Sequence, residues 1–317
     1  MADDLQLIEA FDSRVKRRSE RREFFKAAIG AAAVGATTLL VSQEAFAQTL
    51  IDADFLNFAL NLEYLEAQFY SYAATGAGLS STLLGTSPGA VTATNARRVD
   101  NLDSDPLVRD YAREIAADEV AHVTFLRAQL GTSAIVQPAI DISTGATSAF
   151  GKAAVAAGLP ATFDPYSSPE NFLLGAFIFE DVGVTAYKGL VPLLASKTYV
   201  EATSGIMAVE AYHAAMVRTA LYAKGVATPS LRTSADAISD ARDSLDGTVT
   251  DDDQGISPVT INGGTASNVA PLDADGLAYA RSTGQVLNIV YLTNTAVSMG
   301  GFFPAGVNGN IKTSAAN

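Results

Sequence analysis

The chain has 317 residues, 48% of them hydrophobic and 17% charged, with a formal net charge of -13 and no cysteine. That apolar content excludes a mostly disordered chain, and the lack of thiols excludes disulfides, thiolate zinc sites and iron–sulfur clusters. An acidic surface repels phosphate backbones, so nucleic acid is not an expected partner.

In chain order, residues 1–47 read as an export signal. A basic segment, Arg17-Arg18-Ser19-Glu20-Arg21-Arg22-Glu23-Phe24-Phe25-Lys26, precedes a small-residue apolar run from Ala27 to Val41 and then Ala45-Phe46-Ala47 before Gln48. This is the basic, apolar, small-residue order of a cleaved signal. The paired arginines with Phe-Phe-Lys resemble a twin-arginine signal, which predicts the twin-arginine translocase as a partner and a periplasmic destination. The alternative is a membrane anchor, for which a 15-residue run rich in Ala, Gly and Thr is short. The segment carries seven basic and seven acidic residues, so its removal leaves the charge at -13.

Apolar Phe55, Phe58, Leu62, Leu65 and Phe69 recur at three- and four-residue spacing and predict a first helix over 52–74. A polar connection leads to Ser104-Asp105-Pro106, a capping residue followed by proline at the first helical position, which opens a second helix ending at Leu130-Gly131. A long low-charge segment, 132–167, crosses to a third helix opened by Ser168-Pro169-Glu170 and lasting to about Lys188. A fourth runs from about Thr198 to Lys224, before Gly225. Long links after the first and second helices, and a short one after the third, predict an all-α, ferritin-like four-helix bundle with a long crossover between its second and third helices. The bundle spans 48–230, and 231–317 forms a C-terminal extension packed on or beside it. Within the extension, 234–245 predicts a short helix and 277–292 leaves strand and helix open. Asp251-Asp252-Asp253 reads as a solvated turn, and 300–317 as irregular or frayed.

Both histidines of the chain sit three residues after a glutamate, as Glu119-Val-Ala-His122 on the second helix and Glu210-Ala-Tyr-His213 on the fourth. Residues i and i+3 share a helix face, so each pair aims a carboxylate and an imidazole at one point. The first and third helices carry a second matched pair, Glu63 with Tyr70 and Glu180 with Tyr187, each seven residues apart. Seven residues is nearly two turns, which stacks each tyrosine on its glutamate's face. The pattern behaves as one helical hairpin duplicated. It matches the known ferritin-like di-iron and di-manganese arrangement, in which two helices give one Glu each and two give Glu-x-x-His.

Four glutamates balance the four charges of two divalent ions, and neutral imidazole suits iron or manganese. The predicted ligands are Glu63, Glu119, His122, Glu180, Glu210 and His213. Glu66 is the alternative on the first helix. Tyr70 and Tyr187 are candidates to hydrogen-bond ligand carboxylates, to pass electrons or simply to pack. Asp118 and Asp181 adjoin ligands but point roughly 100° away, toward supporting or surface positions.

Three stretches, Asn57-Phe58-Ala59-Leu60-Asn61-Leu62-Glu63-Tyr64-Leu65-Glu66, Phe177-Ile178-Phe179-Glu180-Asp181-Val182-Gly183-Val184 and Ala208-Val209-Glu210-Ala211-Tyr212-His213, resemble the desiccation-related, ferritin-like domain proteins of bacteria and plants. So do Thr283-Gly284-Gln285-Val286-Leu287-Asn288-Ile289-Val290-Tyr291 and Gly300-Gly301-Phe302-Phe303-Pro304. The resemblance implies the ferritin-like fold and its metal ligands over most of the mature chain, and a stress association rather than a reaction. The leading expectation is redox chemistry on peroxide or dioxygen. The alternatives are a stress protein with a structural metal and an iron store, and a homo-oligomer is compatible with each.

Overall fold

The computed structural model describes residues 50–247 and 252–317, so the export-signal reading of 1–47 and Asp251 lie outside the described residues. Four long helices, α1 (Asp52–Thr75), α2 (Pro106–Leu130), α4 (Pro169–Leu190) and α5 (Lys197–Lys224), form the bundle. A short α3 (Ala149–Ala156) lies in the crossover, and α6 (Ser230–Asp246) and α7 (Thr283–Tyr291) belong to the extension. Two small sheets complete the described residues. In one, β1 (Val91–Thr92) runs parallel to β2 (Ile140–Asp141); in the other, β3 (Val259–Ile261) pairs antiparallel with β4 (Gly264–Ala266).

The bundle helices start where side chains satisfy their first amides. Asp105 accepts from Val108 N at the start of α2, and Ser168 from Asn171 N at the start of α4, both at 3.1 Å and each followed by proline. The turn leading into α5 is held from another helix: Asp52 of α1 accepts from the amides of Ala195 and Ser196 at 2.8 and 2.9 Å. Gly225 ends α5 without a left-handed turn, at φ −66. A side chain there would collide with Arg232, since an added Cβ would lie 2.4 Å from its Cγ, so close approach is what demands the glycine.

Helix directions follow from end-to-end contacts. Asn57, early in α1, donates to Ser133 O just beyond α2, while Val99 N, before α2, donates to Ala73 O near the end of α1. Lys224 at the end of α5 meets Asp105 and Glu170 at the starts of α2 and α4, at 2.6 and 2.7 Å. The bundle therefore runs up, down, down, up. Because α2 and α4 run parallel, the chain must return the length of the bundle between them, roughly 33 Å for a 22-residue helix, and this is why the crossover is long. It is not bare loop: it supplies β2 and α3, and Phe150 of α3 packs on Phe69 and Phe179 at 5.4 and 5.9 Å.

Helices α1 and α4 are buried nearly all round, whereas α2 and α5 keep a solvent face. The extension makes the difference. Residues 283–291 form a helix, settled by a capping box in which Ser282 and Gln285 satisfy each other's amides. The tail is irregular but not frayed. Phe302 lies against Phe179 at 5.0 Å, and Asn308 exchanges two 2.9 Å hydrogen bonds with buried Asn61 of α1. The solvated-turn reading is corrected at Asp253, which is 3% exposed and bonded to Arg242 and Arg281.

Candidate metal centre

The six predicted ligands converge in the middle of the bundle, and all are buried. His122 Nδ1 lies 3.2 Å from Glu63 Oε2, 3.4 Å from Glu119 Oε2 and 3.6 Å from Glu210 Oε1. His213 Nδ1 lies 3.2 Å from Glu119 Oε1 and 3.6 Å from Glu180 Oε2. Two groups result, Glu63-Glu119-His122-Glu210 and Glu119-Glu180-His213, the ligand atoms within each lying inside 4.8 Å of one another. Glu119 belongs to both, giving one oxygen to each, so the centre has two adjoining positions with a carboxylate between them.

The tyrosines act across the bundle. Tyr70 of α1 donates to Glu180 Oε1 of α4, and Tyr187 of α4 donates to Glu63 Oε1 of α1. Each bond holds one carboxylate oxygen and leaves the other facing a histidine. Crossed bonds of this kind require antiparallel α1 and α4 and express the duplication seen in the sequence. The repeat extends further than the ligands. Arg127 and Arg218 each lie five residues after a histidine and each donates to the residue that follows an α1 or α4 glutamate, Tyr64 at 2.6 Å and Asp181 at 2.9 Å.

The duplication also breaks. Asp118 reaches His213 Nε2 at 3.1 Å, and the corresponding residue before Glu210 is Val209. Glu66 corresponds to Gly183. Glu66 is buried beside the centre but belongs to neither group of ligand atoms. At Gly183 an added Cβ would stand 2.2 Å from Glu210 Oε2, so the missing side chain is the space the carboxylate occupies. Asp181 faces away from the centre, toward Arg218 and Arg242.

Buried charge on this scale demands compensation. Glu63 Oε2, Glu180 Oε2, both oxygens of Glu119 and of Glu210, and Nδ1 of both histidines are buried with no hydrogen-bond partner among the described residues. Burial pushes Glu63 up to about 7 and Glu180 up to about 8. It also drives Glu210 and Glu66 well above the carboxylate range, helped by neighbouring glutamates. Burial works against charged imidazole, yet Glu63 and Glu119 outweigh it and raise His122 to about 11, and Glu180 with Glu119 raises His213 to about 9. Glu119 alone goes down, to about 2: burial opposes its charge, but the histidines on both sides hold it ionised. The donor set, carboxylate oxygens with imidazole nitrogens, fits iron or manganese better than a soft metal.

The unreadable part in advance was the mode of support. Tyr70 and Tyr187 were visible as matched spacings, but their partners lie on the other hairpin. Arg218, Arg242 and Arg281 gave no signal: an arginine late in a helix, as Arg218 and Arg242 are, reads as a solvated end, and Arg281 stands in an irregular segment before α7.

Comparison with known proteins agrees with this architecture. The family model described as the ferritin-like domain matches residues 51–223. The chain is 30% identical over 267 residues to the ferritin-like catalase Nec2 of Nesocodon mauritianus, covering 82% of this chain and 84% of that protein. It is 34% identical over 176 residues to the desiccation-related protein PCC13-62 of Craterostigma plantagineum, covering 54% and 53%. No solved structure matches. With the bundle topology, the duplicated hairpin and these relatives together, the chain belongs to the ferritin-like family, in its desiccation-related branch.

Proposed function

We propose that this protein binds two iron or manganese ions in the bundle and decomposes hydrogen peroxide to water and dioxygen, as an exported stress-protection enzyme. The observation that carries the reading is the pair of ligand groups sharing Glu119, with their inner atoms buried and unpartnered. The name of the catalase relative supports the choice of peroxide. Export rests on the twin-arginine-like order of residues 1–47.

Bound metal would supply reversible electron transfer, taking electrons from one peroxide and returning them to another. The chain's own residues set the conditions. Glu63, His122 and Glu210 would hold one ion and Glu180 with His213 the other, with Glu119 available to both. Tyr70 and Tyr187 fix the outer glutamates by one oxygen, so that their negative charge stays directed inward. Asp118 accepts from Nε2–H of His213 and thereby keeps Nδ1 free as a donor atom. Glu66, whose carboxyl burial and the neighbouring glutamates push well above the ordinary carboxylate range, is placed beside the centre to lend and recover a proton as peroxide is cleaved. On the side of Glu66 and Gly183 the apolar walls, Ile289, Val290 and Phe302, keep bulk water from the centre.

The test compares the mature protein with a variant carrying His122→Ala and His213→Ala. Elemental analysis should find about two iron or manganese per chain in the first and none in the second. The loaded protein should evolve dioxygen from peroxide, and the variant should not. If loaded protein neither consumes peroxide nor oxidises ferrous iron faster than the variant, the redox reading fails. Metal binding without turnover would favour a structural metal in a stress protein, the reading that the desiccation-related relative supports.

A further inference from the structure

The two faces of the bundle between neighbouring hairpins differ in access. On the α1–α4 face, α7 and the tail cover the centre: Ile289, Val290 and Phe302 close over Glu66 and Gly183, leaving a cavity of ≈ 20 Å³, room for about one water. On the α2–α5 face nothing comparable is packed among the described residues. An open groove of ≈ 510 Å³ runs there, lined by Tyr111, Glu114 and Asp118 of α2 and by Tyr212, His213 and Met216 of α5. His213 is the one member of the ligand set that lines it. Its ring is a partition: Nε2 meets Asp118 at 3.1 Å, and the buried, unpartnered Nδ1 faces Glu119 and Glu180 on the inner side.

We infer that this groove is the port through which divalent metal ions reach the centre, with Glu114 and Asp118 receiving the hydrated cation beside the His213 ring that separates the groove from the centre. The inference rests on the metal-centre reading above. Its physical basis is threefold. The lining carries two carboxylates, one helical turn apart on α2, and no lysine or arginine among the described residues. A concave acidic lining raises the local concentration of cations and repels anions. Carboxylate oxygens can replace waters of a hydrated cation one at a time, lowering the cost of shedding them before the buried site is reached. The side chain of Asp118, 42% exposed, touches solvent and His213 together, so it can release an ion to the next donor without the ion crossing apolar surface.

The test measures uptake of Mn2+, and of Fe2+ without oxygen, by the full chain after stripping with chelator. Glu114→Lys should slow uptake about tenfold at low ionic strength, and Glu114→Gln by a few-fold, with the final two ions per chain unchanged. Added salt should shrink the difference. Glu201→Lys places the same charge change at the exposed start of α5, away from the groove, and should leave the rate alone. Unchanged uptake in Glu114→Lys, or equal slowing in Glu201→Lys, overturns the port. A lower final stoichiometry in Glu114→Lys also overturns it, because Glu114 would then belong to the site. If the unaltered protein takes up no metal, the metal-centre reading itself fails and the port goes with it; uptake by another route sinks the port alone.

Discussion

Two buried clusters of charge diverge from adjacent residues of α4. Glu180 turns inward to the carboxylate–histidine centre, and Asp181, about 100° round the helix, turns outward to Arg218 and Arg242. In the outer cluster Arg218, Arg242 and Arg281 face Asp181, Asp246 and Asp253, three charges of each sign, with contacts of 2.5 to 3.2 Å. Arg218 also donates to the carbonyls of Val269, Gln254, Gly255 and Asn268, and Arg242 to that of Phe177. Apart from one unpartnered oxygen of Asp246, its charges are paired among themselves, and they tie α4 and α5 to the extension. The inner cluster is open: its carboxylates outnumber its histidines, and its inner atoms face one another without partners. The same low-dielectric setting that makes the first a lock makes the second a candidate site for cations.

The sharpest way to break this comparison is Arg242→Ala. It leaves Asp253 and Asp181 short of a buried partner, and removing one side of such a pair costs about 3–5 kcal/mol. Chemical denaturation of the metal-free protein should show a loss of that size. A loss under about 1 kcal/mol would mean that the outer cluster does not hold the extension.

Changing pH separates the clusters next. Glu63 and Glu180 go from an ordinary value near 4.5 to about 7 and about 8 in the folded chain, so folding favours their protonated forms. Their contribution is complete below about 4.5 and is lost as pH rises through 7 and 8. The raised histidines act in the same direction, their contribution lost as pH climbs through about 9 for His213 and about 11 for His122. The metal-free protein should therefore melt several degrees lower at pH 9 than at pH 6, and Glu180→Gln should reduce that fall. Metal takes the deprotonated ligands, so the rise in melting temperature on adding it should grow with pH. A metal-free melting temperature that increases from pH 6 to pH 9 would contradict the open character of the centre.

What the sequence disclosed divides along the same line. The centre is made of i, i+3 and i, i+7 spacings on helices whose starts are marked by Asp105-Pro106 and Ser168-Pro169, and those are local patterns. Four helix ranges and the convergence of Glu63, Glu119, His122, Glu180, Glu210 and His213 were legible from them. The lock pairs residues far apart, such as Arg281 with Thr185 and Arg242 with Asp181, across segments with no regular period. Nothing local distinguishes Asp253 from a solvated acid. The fate of 277–292 was undecided for a related reason: a short apolar run fits strand or helix until Ser282 and Gln285 are seen to cap it.

The smallest expected change in stability tests the centre most selectively. Gly183 stands where the repeat would place a partner for Glu66, and a methyl there would meet Glu210 Oε2. Alanine suits a helix interior better than glycine by roughly 0.5–1 kcal/mol. The obstructing atom is the far end of a flexible side chain, which can turn aside at similar cost. Gly183→Ala should thus leave the stability of the metal-free protein within about 1 kcal/mol of the original while displacing a ligand carboxylate. Metal titration should show affinity falling about tenfold or more, with the weakening concentrated at the position shared by Glu63, Glu119, His122 and Glu210. Undiminished affinity at both positions would mean that Glu210 reaches metal from a different rotamer, and that the glycine serves helix packing rather than the centre.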